Sequence, residues 1–219
     1  MRIAVFGATG TVGKAIVDES HRRGHVLTAV ARHPDPAATP TGVATRACDV
    51  GDLAAVGPIL AGTDAAVLTI RLEPGQEHRL AHLTRDFLDT AAETGSRVLV
   101  VGGAGALRCP QQPDRLVVDD PNFVLDEYRT LARASVAQFE VCRGHHHTDW
   151  VYLSPPAMLE PGPGTGRYRR GTDTLLVDEA GRSRIEVGDL ALAAVDELEA
   201  PAGKGLFTVA DVAGRRVRS

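Results

Sequence analysis

The sequence predicts an α/β fold in which one mostly parallel sheet is covered by helices on both faces. Three observations predict it. Short apolar runs recur at residues 3–6, 26–31, 65–70, 98–101, 151–153 and 206–209. These runs are apolar throughout instead of alternating with polar residues, as strands buried on both faces are. Helix-length amphipathic segments separate most of them, the order that builds β-α-β units. At 219 residues the chain is long enough for one domain with a substantial core.

Each element has a local reason. The first run, "IAVF", enters "GATGTVG", and the helix after it places Val12, Ala15, Ile16 and Ser20 on one side before stopping at Gly24. The second run ends at Arg32. A third strand precedes "ACDVGD", and "DLAAVGPIL" is a short helix capped by Asp49 or Asp52. "QEHRLAHLTRDFLDTAAETG" aligns Leu80, Leu83, Phe87, Leu88 and Ala91 and stops at Gly95. "LDEYRTLARASVAQFEVCRG" aligns Tyr128, Leu131, Ala132, Ser135, Phe139 and Cys142 before Gly144. "VGDLALAAVDELEAP" supplies a last helix with Asp189 as its expected N-cap and Pro201 beyond its end.

Two stretches interrupt the alternation. Residues 109–123 contain prolines and few periodic apolar positions, which reads as a loop. Residues 155–171, "PPAMLEPGPGTGRYRRG", read as another, followed by a hairpin turning at 179–182. A single domain over 1–219 is thus expected, with 155–188 as an inserted pocket loop and hairpin forming a small C-terminal substrate region. Ligands of an open parallel sheet bind beyond the carboxyl ends of its strands, so both loops are candidate walls.

Composition excludes several classes of partner. Lys and Arg total 24 against 28 Asp and Glu, a formal charge of −4, which leaves no polybasic footprint for nucleic acid or an anionic membrane. No run of apolar residues is long enough to span a bilayer. The three cysteines, Cys48, Cys109 and Cys142, show no CxxC spacing, which fits a reducing cytoplasm and no structural metal. A small-molecule substrate is the expected partner. The fourth and fifth helices offer a surface for a homodimer, although the sheet needs the same apolar faces.

The glycines carry the first chemical signal. A pyrophosphate over a strand-to-helix turn needs backbone N–H groups, close approach and the positive end of a helix dipole. In "GATGTVG", Gly7 allows the tight turn, Gly10 lets the chain approach the phosphates and Gly13 lets the helix pack on the sheet. The spacing is GxxGxxG, but it follows a strand and opens a helix within a unit of about thirty residues, as a dinucleotide site requires. The fold is therefore expected to be Rossmann-type and doubly wound. Where an NAD-specific site carries an acid for the ribose 2′-OH, this chain has Arg32, whose guanidinium can pair with a 2′-phosphate, and no carboxylate is expected nearby to repel one. NADP(H) is expected over NAD(H). Asp49 either accepts from the adenine amino group, with the Val50 backbone alongside, or caps a helix.

With these residues in hand, the chain resembles the atypical short-chain dehydrogenase/reductase group, and more closely the small NAD(P)H-binding proteins described as NADH-flavin reductases, biliverdin reductase B-like or NmrA-like. "IAVFGATGTVG", "RGHVLTAVAR", "CDVGD", "RVLVVGGAGAL", "DWVYLSPPAMLEPGPGTGRYR", "RIEVGDLALAAVDELE" and "GLFTV" carry the resemblance, in that order, over nearly the whole chain. It implies a phosphate loop of Gly7, Thr9, Gly10, Thr11, Val12 and Gly13, a 2′-phosphate site at Arg32 and an adenine site at Asp49 and Val50. It also implies that Thr69, Ile70 and Arg71, with Gly102 and Gly103, pass beside the nicotinamide ribose. Pro155, Pro156 and Met158 would lie near the nicotinamide.

The departure from that group is catalytic. Most of its members use a tyrosine with a lysine four residues later on the same helix face. Here Tyr128 is followed four residues later by Ala132, and "GGAGAL" offers alanines where a catalytic serine usually stands. Tyr128 is read as a half-buried packing residue before a proton donor, and Tyr168 as a candidate for a mobile residue over the substrate. Hydride transfer to a flavin-like or other conjugated acceptor can draw its proton from solvent, so binding and orientation suffice. The expected function is an NADPH-dependent reductase of such a molecule. The alternatives are a non-catalytic NADP(H)-binding redox sensor and a sugar-type epimerase or dehydratase. The run His145 to His147, the pair His78 and His82, and "RYRR" at 167–170 all read as solvated surface.

Overall fold

In the computed structural model, which describes residues 1–147 and 149–212, the chain begins with β1 (Arg2–Phe6), α1 (Thr11–Arg22), β2 (Val26–Ala31), β3 (Ala44–Ala47), α2 (Leu53–Ala61) and β4 (Ala65–Leu68). Next come α3 (Leu80–Thr94), β5 (Arg97–Val101), β6 (Arg108–Cys109), β7 (Gln112–Leu116), α4 (Arg129–Gly144) and β8 (Trp150–Ser154). The chain continues through β9 (Met158–Glu160), β10 (Tyr168–Gly171), β11 (Arg184–Glu186), α5 (Val187–Glu199) and β12 (Gly205–Asp211). The main sheet has eight strands in the order β10-β12-β8-β5-β4-β1-β2-β3, parallel except for the edge strand β10. The fold is Rossmann-like.

The apolar strands divide their side chains between two cores. Ile3 and Val5 of β1 face α1 and α5, packing with Ile16, Val17, Leu190 and Ala194. Ala4 and Phe6 face α2 and α3, where Phe6 meets Phe87 edge to face at 4.8 Å between ring centroids. Each buried side chain of this size stabilises the fold by about 1.5–3 kcal/mol. From β1 the chain winds outward to β2 and β3, then crosses back to lay β4, β5 and β8 on the other side. That reversal between β1 and β4 makes neighbouring loops diverge and opens a crevice beyond the carboxyl ends of the strands.

The structure revises the two expected loops. The stretch 109–123 contains β7, paired antiparallel with β6, and its Pro113 is tolerated in this two-stranded sheet because an edge strand does not need every donor. The stretch 155–171 contains β9 and β10. The expected hairpin after it has its turn but no ladder. Asp178 Oδ1 accepts from Ala180 N and Arg182 N, both at 2.9 Å, yet the arms part. Leu175 N donates to Arg108 O at 2.9 Å, while β11 pairs in parallel with β9. The physical reason is burial: Leu175 enters a third core with Leu107, Val117 and Val124, whereas Ile185 joins the core beneath α5.

Asp189 is not the N-cap of α5; Glu186 holds that place. Asp189 is buried in the first turn, where its carboxylate accepts from Thr165 N, Thr165 Oγ1 and Gly166 N, each at 2.9 Å. Glu186 Oε2 accepts from Gly164 N at 2.9 Å. Residues 162–166 are thereby fastened to the start of α5.

Candidate functional site

The turn between β1 and α1 separates the jobs of the three glycines. Gly7 has φ +87° and donates its N–H to Val30 O at 2.9 Å; a side chain there would collide with the Thr69 carbonyl. A side chain at Gly13 would collide with the Gly7 carbonyl. Both glycines are needed by the chain's own packing. Gly10 is different. It is exposed, has ordinary extended backbone at φ −74° and ψ 162°, and a Cβ on it would meet only Gly7 O, at 3.3 Å. Its bareness leaves room for a visitor.

The same turn supplies donors. Gly10 is the N-cap of α1, with no side chain capping the helix and no acid in the first turn. The N–H groups of Thr11, Val12 and Gly13 therefore lack intrahelical acceptors and, with the helix dipole, present positive charge to the space beside Gly10. Thr9 and Thr11 are exposed at its rim, while Val12 packs partly against the core. This cradle fits a pyrophosphate.

The other expected residues lie beyond the ends of successive strands. Arg32 follows β2 and is 57% exposed, but it is not free of acids: its Nη2 lies 3.4 Å from Oε1 of Glu73. The expectation of no nearby carboxylate fails because the segment after β4 reaches back across the end of β1 towards β2. Beyond β3, Val50 is buried and Asp49 is exposed, with Oδ1 accepting from Gly51 N at 2.8 Å. The cap of α2 is Asp52, which accepts from Ala55 N at 3.3 Å, so capping does not account for Asp49. After β4, Thr69 N donates to Phe6 O at 3.0 Å, Ile70 packs against the core and Arg71 is exposed.

Beyond β5, Gly102 and Gly103 are held by residues the sequence did not single out. A side chain at Gly102 would strike the Tyr152 hydroxyl, and Gly103 O accepts from the buried Ser154 hydroxyl at 2.6 Å. Tyr152 is fully buried, its hydroxyl within 3.0 Å of Ser135 O and 3.1 Å of Gln138 Oε1, and Gln138 Nε2 donates to Thr84 Oγ1 at 3.0 Å. Burial pushes the Tyr152 phenol far above its ordinary pKa, so it braces the floor and supplies no proton. The signal available in the sequence was the glycine pair, which a large neighbour requires. Beyond β8, Pro156 is buried, Pro155 is half-buried and Met158 is exposed at the start of β9, where its N–H donates to Ser183 O at 2.9 Å.

Residues 7–198 match the model of a protein family described as NAD(P)H-binding. The chain belongs to this NAD(P)H-binding family. It is 35% identical over 217 residues to the uncharacterized protein YwnB of Bacillus subtilis (strain 168), covering 95% of this chain and 98% of that one. A solved structure from Streptococcus pneumoniae TIGR4, named "a putative NADH-flavin reductase", superposes with a TM-score of 0.87 at 28% identity, covering 97% and 100% of the two chains. Another from Bacteroides thetaiotaomicron, named a "putative epimerase", superposes with a TM-score of 0.86 at 31% identity, covering 98% and 99%. Among these structural neighbours of an NAD(P)H-binding chain one architecture thus carries different activity names, and fold alone does not assign the reaction.

The two tyrosines considered for catalysis fare differently. Tyr128 is the N-cap of α4 and 53% exposed, so it is not the packing residue expected; Ala132, four residues on, packs against the third core. Tyr168 is a correction. Its hydroxyl donates to Asp196 Oδ2 at 2.7 Å, and Asp196 Oδ1 is 2.8 Å from Arg23 at the end of α1. With a rise of about 1.5 Å per residue, that end lies about 20 Å from Gly10. Tyr168 is thus tied through Asp196 to the far end of α1, whereas a mobile residue over the substrate was expected, and burial, followed by its bond to Asp196, pushes its phenol up to about 12.

The basic cluster around Tyr168 is likewise engaged in structure: Arg170 Nη2 is 2.7 Å from the fully buried Glu197, and its guanidinium stacks 3.9 Å over Phe207. The fold also brings Asp89 to His145 and His146, a carboxylate partner the sequence did not reveal. His145 Nδ1 accepts from His147 N at 3.0 Å, which places the ring proton on Nε2, donated to Asp89 Oδ1 at 3.1 Å. Burial holds the His145 pKa below its ordinary value. Both ring nitrogens of His145 are occupied, His146 stacks on it at 4.4 Å between ring centroids, and the His145–Asp89 hydrogen bond ties α3 to the end of α4. Among the described residues, no helix is long and apolar enough to cross a membrane.

Proposed function

We propose that this protein is an NADPH-dependent reductase that delivers hydride to a flavin-like or other conjugated small molecule. The observation that carries the reading is Gly10, a glycine the chain does not itself need, at the uncapped N-terminus of α1. Arg32 at the end of β2 supports NADPH, because a guanidinium pairs bidentately with a phosphate. When bound, the nicotinamide supplies the hydride. The chain's own residues bind and orient: Gly102 and Gly103, held from below by Tyr152 and Ser154, and Pro155, Pro156 and Met158 bound the space for the ring. Leu125, Tyr128 and Met158 are exposed near the carboxyl-end loops and offer apolar surface to a planar acceptor. With no lysine beside Tyr128, a reaction whose proton comes from solvent is the best match to the side chains present. The three free, buried cysteines suit a reducing cytoplasm.

Two substitutions test the assignment with purified protein. Arg32→Ala should weaken NADPH binding by about 1–3 kcal/mol, the scale of a charge-assisted hydrogen bond, and leave NADH binding nearly unchanged in a fluorescence titration. An equal loss for both nucleotides would remove Arg32 from the 2′-phosphate. Tyr128→Phe should retain most of the rate of NADPH oxidation with FMN, riboflavin or a quinone. A fall of a hundredfold or more, the scale of a lost general acid, would make Tyr128 the proton donor after all. Tight NADPH binding with no turnover across that panel would instead favour a sensor that holds the cofactor.

A further inference from the structure

We infer that Glu73 is a specificity residue of the nucleotide site, one that occupies the guanidinium a 2′-phosphate would take and so moderates the preference for NADPH. The inference rests on the reading of Arg32 proposed above. Arg32 Nη2 and Glu73 Oε1 are 3.4 Å apart, and the two side chains are 57% and 72% exposed. One long contact in solvent is a weak hold. Glu73 can therefore leave without disturbing the fold.

The competition follows from geometry and charge. A carboxylate and a phosphate both fit the planar fork of an arginine. A phosphate dianion arriving at Arg32 must either displace Glu73 from Nη2 or share the guanidinium with it, and in both cases it sits near a carboxylate of the same sign. NADH brings no such conflict: its 2′-hydroxyl is a donor, which a carboxylate beside Arg32 can accept. Glu73 stands where an acid would serve NADH, yet it arrives from the loop after β4 instead of from the end of β2. Arg32 and Glu73 together make a site able to accept either nucleotide, with the balance set by two opposite charges.

The test is a binding comparison of wild type, Glu73→Gln, Arg32→Ala and the double variant, each titrated with NADPH and NADH at low and high salt. Glutamine keeps the size and hydrogen-bonding capacity of Glu73 and removes the charge. Glu73→Gln should tighten NADPH binding about three- to tenfold at low salt, the scale of one exposed like-charge interaction, and leave NADH unchanged or weaker. The gain should shrink at high salt and in the Arg32→Ala background. An unchanged NADPH to NADH affinity ratio in Glu73→Gln, with tight binding by the wild type, overturns this inference alone. Failure of the wild type to bind either nucleotide overturns the nucleotide site and this inference with it.

Discussion

Alanine at Gly10 is expected to leave the protein folded while weakening NADPH binding at least tenfold, and alanine at Gly13 to do the reverse. The Cβ of Gly10→Ala meets one carbonyl oxygen at 3.3 Å on ordinary backbone, so its cost is about 1 kcal/mol and the loss in Tm no more than about 4 °C. That methyl would stand in the space where phosphate oxygens meet the α1 N–H groups. At Gly13 the Cβ would collide with backbone of the β1 turn, which cannot yield as a flexible side chain does. Overpacking of this kind costs about 3 kcal/mol, lowering Tm by about 6–12 °C. Thermal melts and nucleotide titrations of the two variants separate the roles. Equal effects on Tm, or unaltered nucleotide affinity in Gly10→Ala, would show that Gly10 serves the fold and no ligand.

Asp189→Ala should destabilise the protein by about 2–3 kcal/mol. Removing the carboxylate takes charge-assisted hydrogen bonds from the exposed Thr165 and Gly166, each worth about 1.5–3 kcal/mol before water replaces part of it. Asp189→Asn keeps one acceptor and should lose less. Hydrogen exchange gives a local readout: the Thr165 and Gly166 amides should lose protection first in Asp189→Ala. Unchanged Tm together with unchanged exchange would refute the clasp. The same contacts fasten residues 162–166 to the start of α5.

What could be read directly was whatever depends on near neighbours in the chain. The strands of β1, β2, β5 and β8 were legible because burial on both faces leaves uninterrupted apolar runs, and the helices because their apolar residues recur on one face and a glycine stops several of them. β4 ends at Leu68, two residues short of the apolar run, because Thr69 turns to meet Gly7. The expected hairpin failed for a related reason. Asp178 makes the turn locally, but Leu175 and Ile185 are each drawn into a different core, and no local pattern records which core a side chain will join.

The sequence by itself determined the β-α-β order, the glycine turn and the arginine beyond β2, since each depends on residues within about thirty positions of one another. Only the tertiary structure decided that Gly10 is the glycine the fold can spare and that Tyr168 is committed to Asp196. It alone placed Glu73 on Arg32, 41 residues away. The physical reason is the winding of the sheet. Placing β1 between β2 and β4 brings the ends of distant segments over one crevice, and the charges that meet there are set by strand order and not by sequence spacing.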